Sequence, residues 1–365
     1  MSRLGLDTTA GALVLEDGCV FEGRSVAAGG IAFGEAVFTT AMSGYQEIVT
    51  DPSFAEQLIA FTAPMIGNYG VDDSRLEADR PAARAVVMRR AGGTDWCEWL
   101  ADRGIVAIDD IDTRSLTLHL RNVGALRGAV VSGEVGRESI LEEIQSRPSM
   151  VGRALAADVS TDEPRRYGSG ETSIGVLDYG CKRSIVRRLG GAGARITLYP
   201  HDTSADDILD ADHAGVLLSN GPGDPSALVS QVDVVRDLVG RIPLLGICLG
   251  HQLLAQAVGL GTYKLRFGHR GANHPVLHEA SGRVLVTSQN HGFAVEGSGE
   301  LISHVSLYDG TVEGLELTSE RARSVQFHPE AGPGPHDAWP ILEEWVAEVA
   351  AAQTTFTVGA ATGVV

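Results

Sequence analysis

Between residues 174 and 247, apolar runs and helical patterns alternate almost without interruption. No other feature constrains the fold as strongly. Strand-like runs at 174–177, 195–198, 215–218 and 243–247 are separated by helical stretches at 184–189, 205–209 and 229–239. Strands that alternate with helices feed a parallel sheet covered on both faces, so this part of the chain is expected to be a doubly wound α/β domain. Further strand-like runs at 283–287, 313–317 and 323–327 precede a helical pattern at 339–352. From Thr354 onward the period is lost, and residues 354–365 are expected to form a disordered tail.

The first part of the chain is patterned differently. Apolar runs flank Asp17-Gly18, a strong hairpin signal. Short strands are expected at 36–40, 57–62, 84–88 and 126–131, with helices at 95–103, 112–122 and 136–147. Trp96, Trp99 and Leu100 share one face of the first helix, Asp112 or Thr113 can cap the second, and Gly124 follows its end. Strands and helices mix here without strict alternation, which predicts an α+β domain over residues 1–150. The polar stretch 151–172, with Pro164 and Gly168-Ser169-Gly170, reads as a linker to an α/β domain at 173–353.

Composition removes several function classes. A net charge of −18 argues against a general nucleic-acid binder. The four cysteines, Cys19, Cys97, Cys181 and Cys248, are scattered and none has zinc-site spacing, so no metal is expected. Residues 1–9 lack the tracts of a secretion signal and no apolar run is long enough for a membrane span, so a cytoplasmic location without membrane attachment is expected. No phosphate loop or dinucleotide fingerprint is present, so no nucleotide cofactor is expected in this chain. Among 29 basic residues only Lys182 and Lys264 are lysine. Where arginine is so favoured, a lysine can mark a site that rejects a planar guanidinium.

Three motifs carry chemistry. GICLGHQ at 246–252 follows an apolar strand and begins a helical run. A nucleophile between small residues at a strand-to-helix turn is a nucleophile elbow, here with Cys248, and a helix N-terminus favours the reactive thiolate. The backbone N–H of Leu249 can serve as an oxyanion donor. His328-Pro329-Glu330 follows the strand at 323–327. One intervening residue in extended chain points the imidazole and carboxylate the same way, so Glu330 can orient His328 as a base. SNGPGDP at 219–225 follows a buried strand, and Gly221 or Gly223 can complete an oxyanion hole at the carboxyl edge of the sheet, where ligands bind.

In this order and spacing the three motifs resemble class I glutamine amidotransferases, whose domain is flavodoxin-like. The resemblance implies that Cys248 attacks the glutamine amide to form a γ-glutamyl thioester, with His328 and Glu330 completing a triad. It also implies glutamine contacts at Gly221, Gly223, Leu249, Gln252, Asn290, Gly292 and Phe293, the last three within QNHGF at 289–293. The first block narrows the family. AMSGYQEIVTDPS at 41–53, IGNYG at 66–70 and DTR at 112–114 resemble the small-subunit family of carbamoyl-phosphate synthetases, as do LDYGCKR at 177–183, FGHRGANHP at 267–275 and PGPHD at 333–337.

That resemblance implies a further glutamine contact from Ser53. It also implies a large synthetase subunit as partner, with ATP and magnesium bound there, and an ammonia channel entered near residues 332–335. Gly332 stands where the family commonly has Ser, and Cys181 where it has a small aliphatic residue; neither belongs to the triad. The alternative is a catalytically silent subunit that docks on and regulates the same complex. Retention of Cys248, His328 and Glu330 argues against it.

Overall fold

The structure is a computed structural model and describes residues 10–133 and 137–361. Residues 1–9, on which the absence of a signal was read, and 362–365 lie outside that range. The chain forms two compact units. One runs to Val151 and includes Arg266–Arg270; the other takes Gly152–Leu265 and the chain from Gly271 onward.

In the first unit, β1 (Ala10–Leu15), β2 (Val20–Ser25), β3 (Gly30–Thr39), β4 (Gln57–Phe61), β5 (Ala85–Val87), β6 (Val106–Asp109) and β7 (Leu126–Ser132) close into a barrel of order β1-β2-β6-β5-β4-β3-β7. Closure removes the unpaired edges that an open sheet would expose. It arises because β3 to β6 pair in parallel, whereas β7 returns antiparallel between β3 and β1. The hairpin at Asp17-Gly18 forms with Val14 opposite Val20, and Gly18 takes a φ of 87°. Helices α1 (Tyr45–Thr50), α2 (Thr94–Asp102), α3 (Thr113–Val123) and α4 (Arg137–Ser146) complete the unit. The expected α2 face is buried, with Trp96 stacked on Trp99 at 5.3 Å. Asp112 caps α3 by accepting from the N–H of Ser115 at 3.0 Å.

The second unit begins earlier than expected. Residues assigned to a linker contain α5 (Ala156–Val159) and β8 (Arg165–Tyr167), and β8 pairs antiparallel with β10 (Ala194–Tyr199). Its polar side chains are exposed on an edge strand, which conceals it from a hydrophobicity pattern. The alternating region becomes β9 (Thr172–Leu177), α6 (Arg183–Gly191), β10, α7 (Ala205–Asp210), β11 (Gly215–Leu218), α8 (Val229–Leu238), β12 (Leu244–Ile247) and α9 (Leu249–Ala257). After it come β13 (Gly261–His278), β14 (Arg283–Glu296), β15 (Ile302–Ser306), β16 (Val312–Leu317), β17 (Ala322–Val325) and α10 (Pro340–Ala361).

Five strands are parallel, in the order β10-β9-β11-β12-β17, which is the doubly wound flavodoxin-like order; β16, β15, β13 and β14 extend the sheet antiparallel. Both faces of the strands are covered. Val216 and Leu218 pack with α8 and α9 residues such as Val235 and Leu253, while Leu217 between them packs with Leu189 of α6 and Trp345 of α10. Burial on both faces makes each strand a continuous apolar run. The closing helix does not stop at the expected tail: it continues to Ala361. Among the described residues, no helix is long and apolar enough to cross a membrane.

Candidate active site

The elbow forms where β12 ends and α9 begins. Cys248 is the N-cap of α9 with φ 53° and ψ −104°, a conformation that costs an L-residue about 1–3 kcal/mol. The surrounding backbone imposes it. A Cβ on Gly250 would sit 2.1 Å from the carbonyl oxygen of Leu218, and one on Gly246 would sit 2.7 Å from that of Gly250. Only glycines let the turn pack this closely, and the N–H of Gly250 donates to the Ser219 carbonyl at 3.0 Å. Cys248 is buried, and its Sγ contacts the backbone oxygen of Asn290 at 3.6 Å.

His328 comes from the segment after β17 and is fixed by its N–H, which donates to Ser288 O at 2.9 Å. Its Nδ1 lies 2.7 Å from Glu330 Oε1. Nε2 is buried without a hydrogen-bond partner of its own, and Cys248 is the other group that acts on this imidazole. Burial alone would push His328 down. The carboxylate of Glu330 and the Cys248 side chain overcome that and raise its pKa to about 10, so the imidazolium is the resting form. Burial likewise opposes the charge on Glu330, but the Lys182 ammonium and His328 hold the carboxyl well below its usual range.

Lys182 is the residue that motif reading did not assign. Its Nζ donates to Glu330 Oε1 at 2.8 Å and to the Gly332 carbonyl at 2.8 Å, and the side chain is fully buried. The loop that delivers it is built by Asp178, whose Oδ1 accepts from the N–H groups of Gly180 and Cys181, while Asn220 Oδ1 accepts from the N–H of Lys182. Lysine scarcity, with a place in the LDYGCKR stretch at 177–183, was the sequence signal for this position, and neither gave it a role. The other lysine, Lys264, holds its Nζ 5.1 Å from the ring centroid of Phe293.

The expected glutamine contacts divide. Leu249, Gln252, Asn290 and Phe293 are buried around the elbow. Gln252 Nε2 donates to the Phe293 carbonyl at 2.8 Å and to Gln326 Oε1 at 3.0 Å, so both its hydrogens are engaged within the protein and only Oε1 is left for another donor. His291 Nδ1 also contacts the Phe293 carbonyl, at 2.7 Å, which pins the 290–293 segment. Gly221 lets its loop approach Tyr179, since a Cβ there would meet that carbonyl oxygen at 2.1 Å. Ser53 lies in the other unit, buried, its N–H bonded to Asp51 Oδ1 at 2.9 Å.

His251, Ser324 and Gln326 were also missed. Burial lowers the His251 pKa to about 3, so it is neutral, and its Nδ1 lies 2.8 Å from Ser324 Oγ. Ser324 and Gln326 alternate with Val325 and Phe327, and that polar alternation at the end of a buried strand is the signal that could have found them.

Two family descriptions match the chain, one in each unit. Residues 13–130 match "Carbamoyl-phosphate synthase small chain, CPSase domain", and residues 175–347 match "Glutamine amidotransferase class-I". The chain is 42% identical to the carbamoyl phosphate synthase small chain of Syntrophotalea carbinolica, over 91% of this chain and 96% of that one. It is 43% identical to the small chain of Xanthomonas campestris pv. campestris, over 94% and 98% respectively. For the small chain of Thermotoga maritima the identity is also 43%, over 91% and 96%. At that identity over nearly the whole length, the chain belongs to the carbamoyl phosphate synthase small chain family and is its glutamine-hydrolysing component.

Proposed function

We propose that the chain releases ammonia from glutamine through a Cys248–His328–Glu330 triad and passes it to a large synthetase subunit. The observation that carries this reading is a buried thiol at a strained elbow, acting on an imidazole whose far nitrogen is held by a carboxylate 2.7 Å away. The thiolate of Cys248 attacks the side-chain amide carbon, and the oxyanion is met by backbone N–H groups at Leu249 and the 221–223 loop. The His328 imidazolium gives its Nε2 proton to the departing ammonia, leaving a γ-glutamyl thioester. The neutral imidazole then takes a proton from water, which attacks the thioester and frees glutamate and the thiol. Glu330 keeps Nδ1 protonated throughout, so Nε2 is the nitrogen that exchanges protons.

Gln252 contributes an acceptor to the substrate and, through Phe293, holds the wall of the site. Ser53 is proposed to add a glutamine contact from the first unit, and replacing it with Ala should raise KM for glutamine more than it lowers kcat. ATP and magnesium act on the partner, where ammonia and bicarbonate become carbamoyl phosphate; ammonia leaves near residues 332–335. The test is Cys248→Ala in the assembled complex. Glutamine-dependent synthesis should vanish while synthesis from added ammonia persists. Glutamine hydrolysis surviving in that variant would overturn the mechanism.

A further inference from the structure

We propose that Asp17, Cys19 and His119 form a binding site for a zinc-class divalent cation on the barrel unit. A carboxylate oxygen, a thiol sulfur and an imidazole nitrogen, from residues up to 102 positions apart, have donor atoms within 4.8 Å of one another. Both carriers of these groups are held by hydrogen bonds. Asp17 and Cys19 flank Gly18 in the β1–β2 turn, which is closed by Leu15 N–H to Cys19 O and Gly18 N–H to Leu15 O, each 2.9 Å. Asp17 Oδ1 accepts from the N–H of Cys19 at 3.0 Å, and Oδ2 is hydrogen-bonded to His119 Nε2 at 2.6 Å, a contact that a cation between them would replace. His119 stands on α3, whose start is fixed by the Asp112 cap and whose end is fixed at Gly124.

The donor set selects the ion. One sulfur, one nitrogen and one oxygen suit a borderline-soft cation, whereas calcium and magnesium need several oxygens. Tetrahedral zinc with bonds of about 2.0–2.3 Å sets its donors roughly 3.5 Å apart, so small side-chain shifts admit it. Water supplies the fourth ligand. Binding releases the thiol proton to solvent and joins thiolate, neutral imidazole and carboxylate on one ion. The bound ion clips the hairpin turn to α3, a linkage invisible in cysteine spacing because the histidine is supplied by a distant helix.

The test uses the full-length chain carrying Cys248→Ser, stripped with a chelator and titrated with cobalt(II). A thiolate-to-cobalt charge-transfer band should saturate at one ion per chain and be displaced by zinc. Cys19→Ser should abolish the band, and His119→Ala or Asp17→Asn should weaken zinc binding at least about tenfold, or 1.4 kcal/mol, in competition with a chromophoric chelator. Zinc should raise the thermal midpoint of the Cys248→Ser chain but not of its Cys19→Ser derivative. A band that survives Cys19→Ser, or no saturable binding at micromolar metal, overturns the proposal.

Discussion

Replacing Glu330 by Gln removes the anion from between two buried cations, and the consequence can be worked from the geometry. Lys182 and His328 both touch Glu330 Oε1, so the cluster carries one net positive charge, and without the carboxylate it would carry two. His328 would therefore shed its proton. Its pKa of about 10, against 6.5 for a free histidine, corresponds at pH 7 to about 4 kcal/mol of native-state stabilisation. The sign is that of a raised pKa: the contribution is complete below about pH 6.5 and drains as pH rises toward 10. Glu330 has a depressed pKa, so its own contribution is present above about pH 4.5 and lost in acid.

The stability gap between wild type and Glu330→Gln should then be widest near pH 4.5–6.5 and should narrow steadily toward pH 10. Lys182→Met should cost less, because it leaves a neutral imidazolium–carboxylate pair. Combining the two should cost less than the sum by roughly 1–3 kcal/mol, since no lysine is then stranded in the interior. Urea unfolding followed by circular dichroism across pH 5–9, with the double-mutant cycle at pH 7, measures both. A gap that widens with pH, or single losses that add within about 0.5 kcal/mol, would refute the charge-sharing account.

Three further outcomes follow from particular contacts. His328→Ala should lower glutamine turnover by roughly 10²–10⁴-fold and Glu330→Ala by less, because loss of the base outweighs loss of its orientation; equal losses in steady-state assays would contradict the division of roles. Gly250→Ala should abolish glutaminase activity and destabilise by about 1–3 kcal/mol, because its Cβ meets Leu218 O at 2.1 Å, whereas Gly191→Ala, with open space around it, should leave both unchanged in the same assays. Burial depresses His251, so the native state resists its protonation and loses roughly 1.4 kcal/mol per pH unit as pH falls below 6.5; His251→Asn should flatten that acid limb in urea melts, and an unchanged slope would refute the assignment.

The parts of this molecule that sequence reveals are those whose cause is local. Alternation over 174–247 forces a sheet covered on two faces, and a nucleophile framed by Gly246 and Gly250 forces an elbow, because each pattern states its own steric requirement within a few residues. The pairing of His328 with Glu330 is legible from their spacing, but not for the reason expected: the segment is a turn rather than extended chain, closed by the Ala331 N–H donating to the His328 carbonyl at 3.2 Å, and the turn brings the carboxylate to Nδ1. What escapes is whatever depends on closure across the fold. Nothing in β1 or β7 says that they will meet and shut a barrel, since an alternating strand looks alike in an open or closed sheet. Lys182 stands 148 positions from Glu330, and the arginine-rich background hinted only that a compact ammonium mattered there. The same rule explains the buried polar pairs behind the elbow. His251 with Ser324 and Gln252 with Gln326 each join α9 to a segment more than seventy positions later, so each partner alone reads as an ordinary interior residue. A catalytic motif therefore names the reacting atoms, while the groups that set their charge and hold their position are found where distant segments are brought into contact.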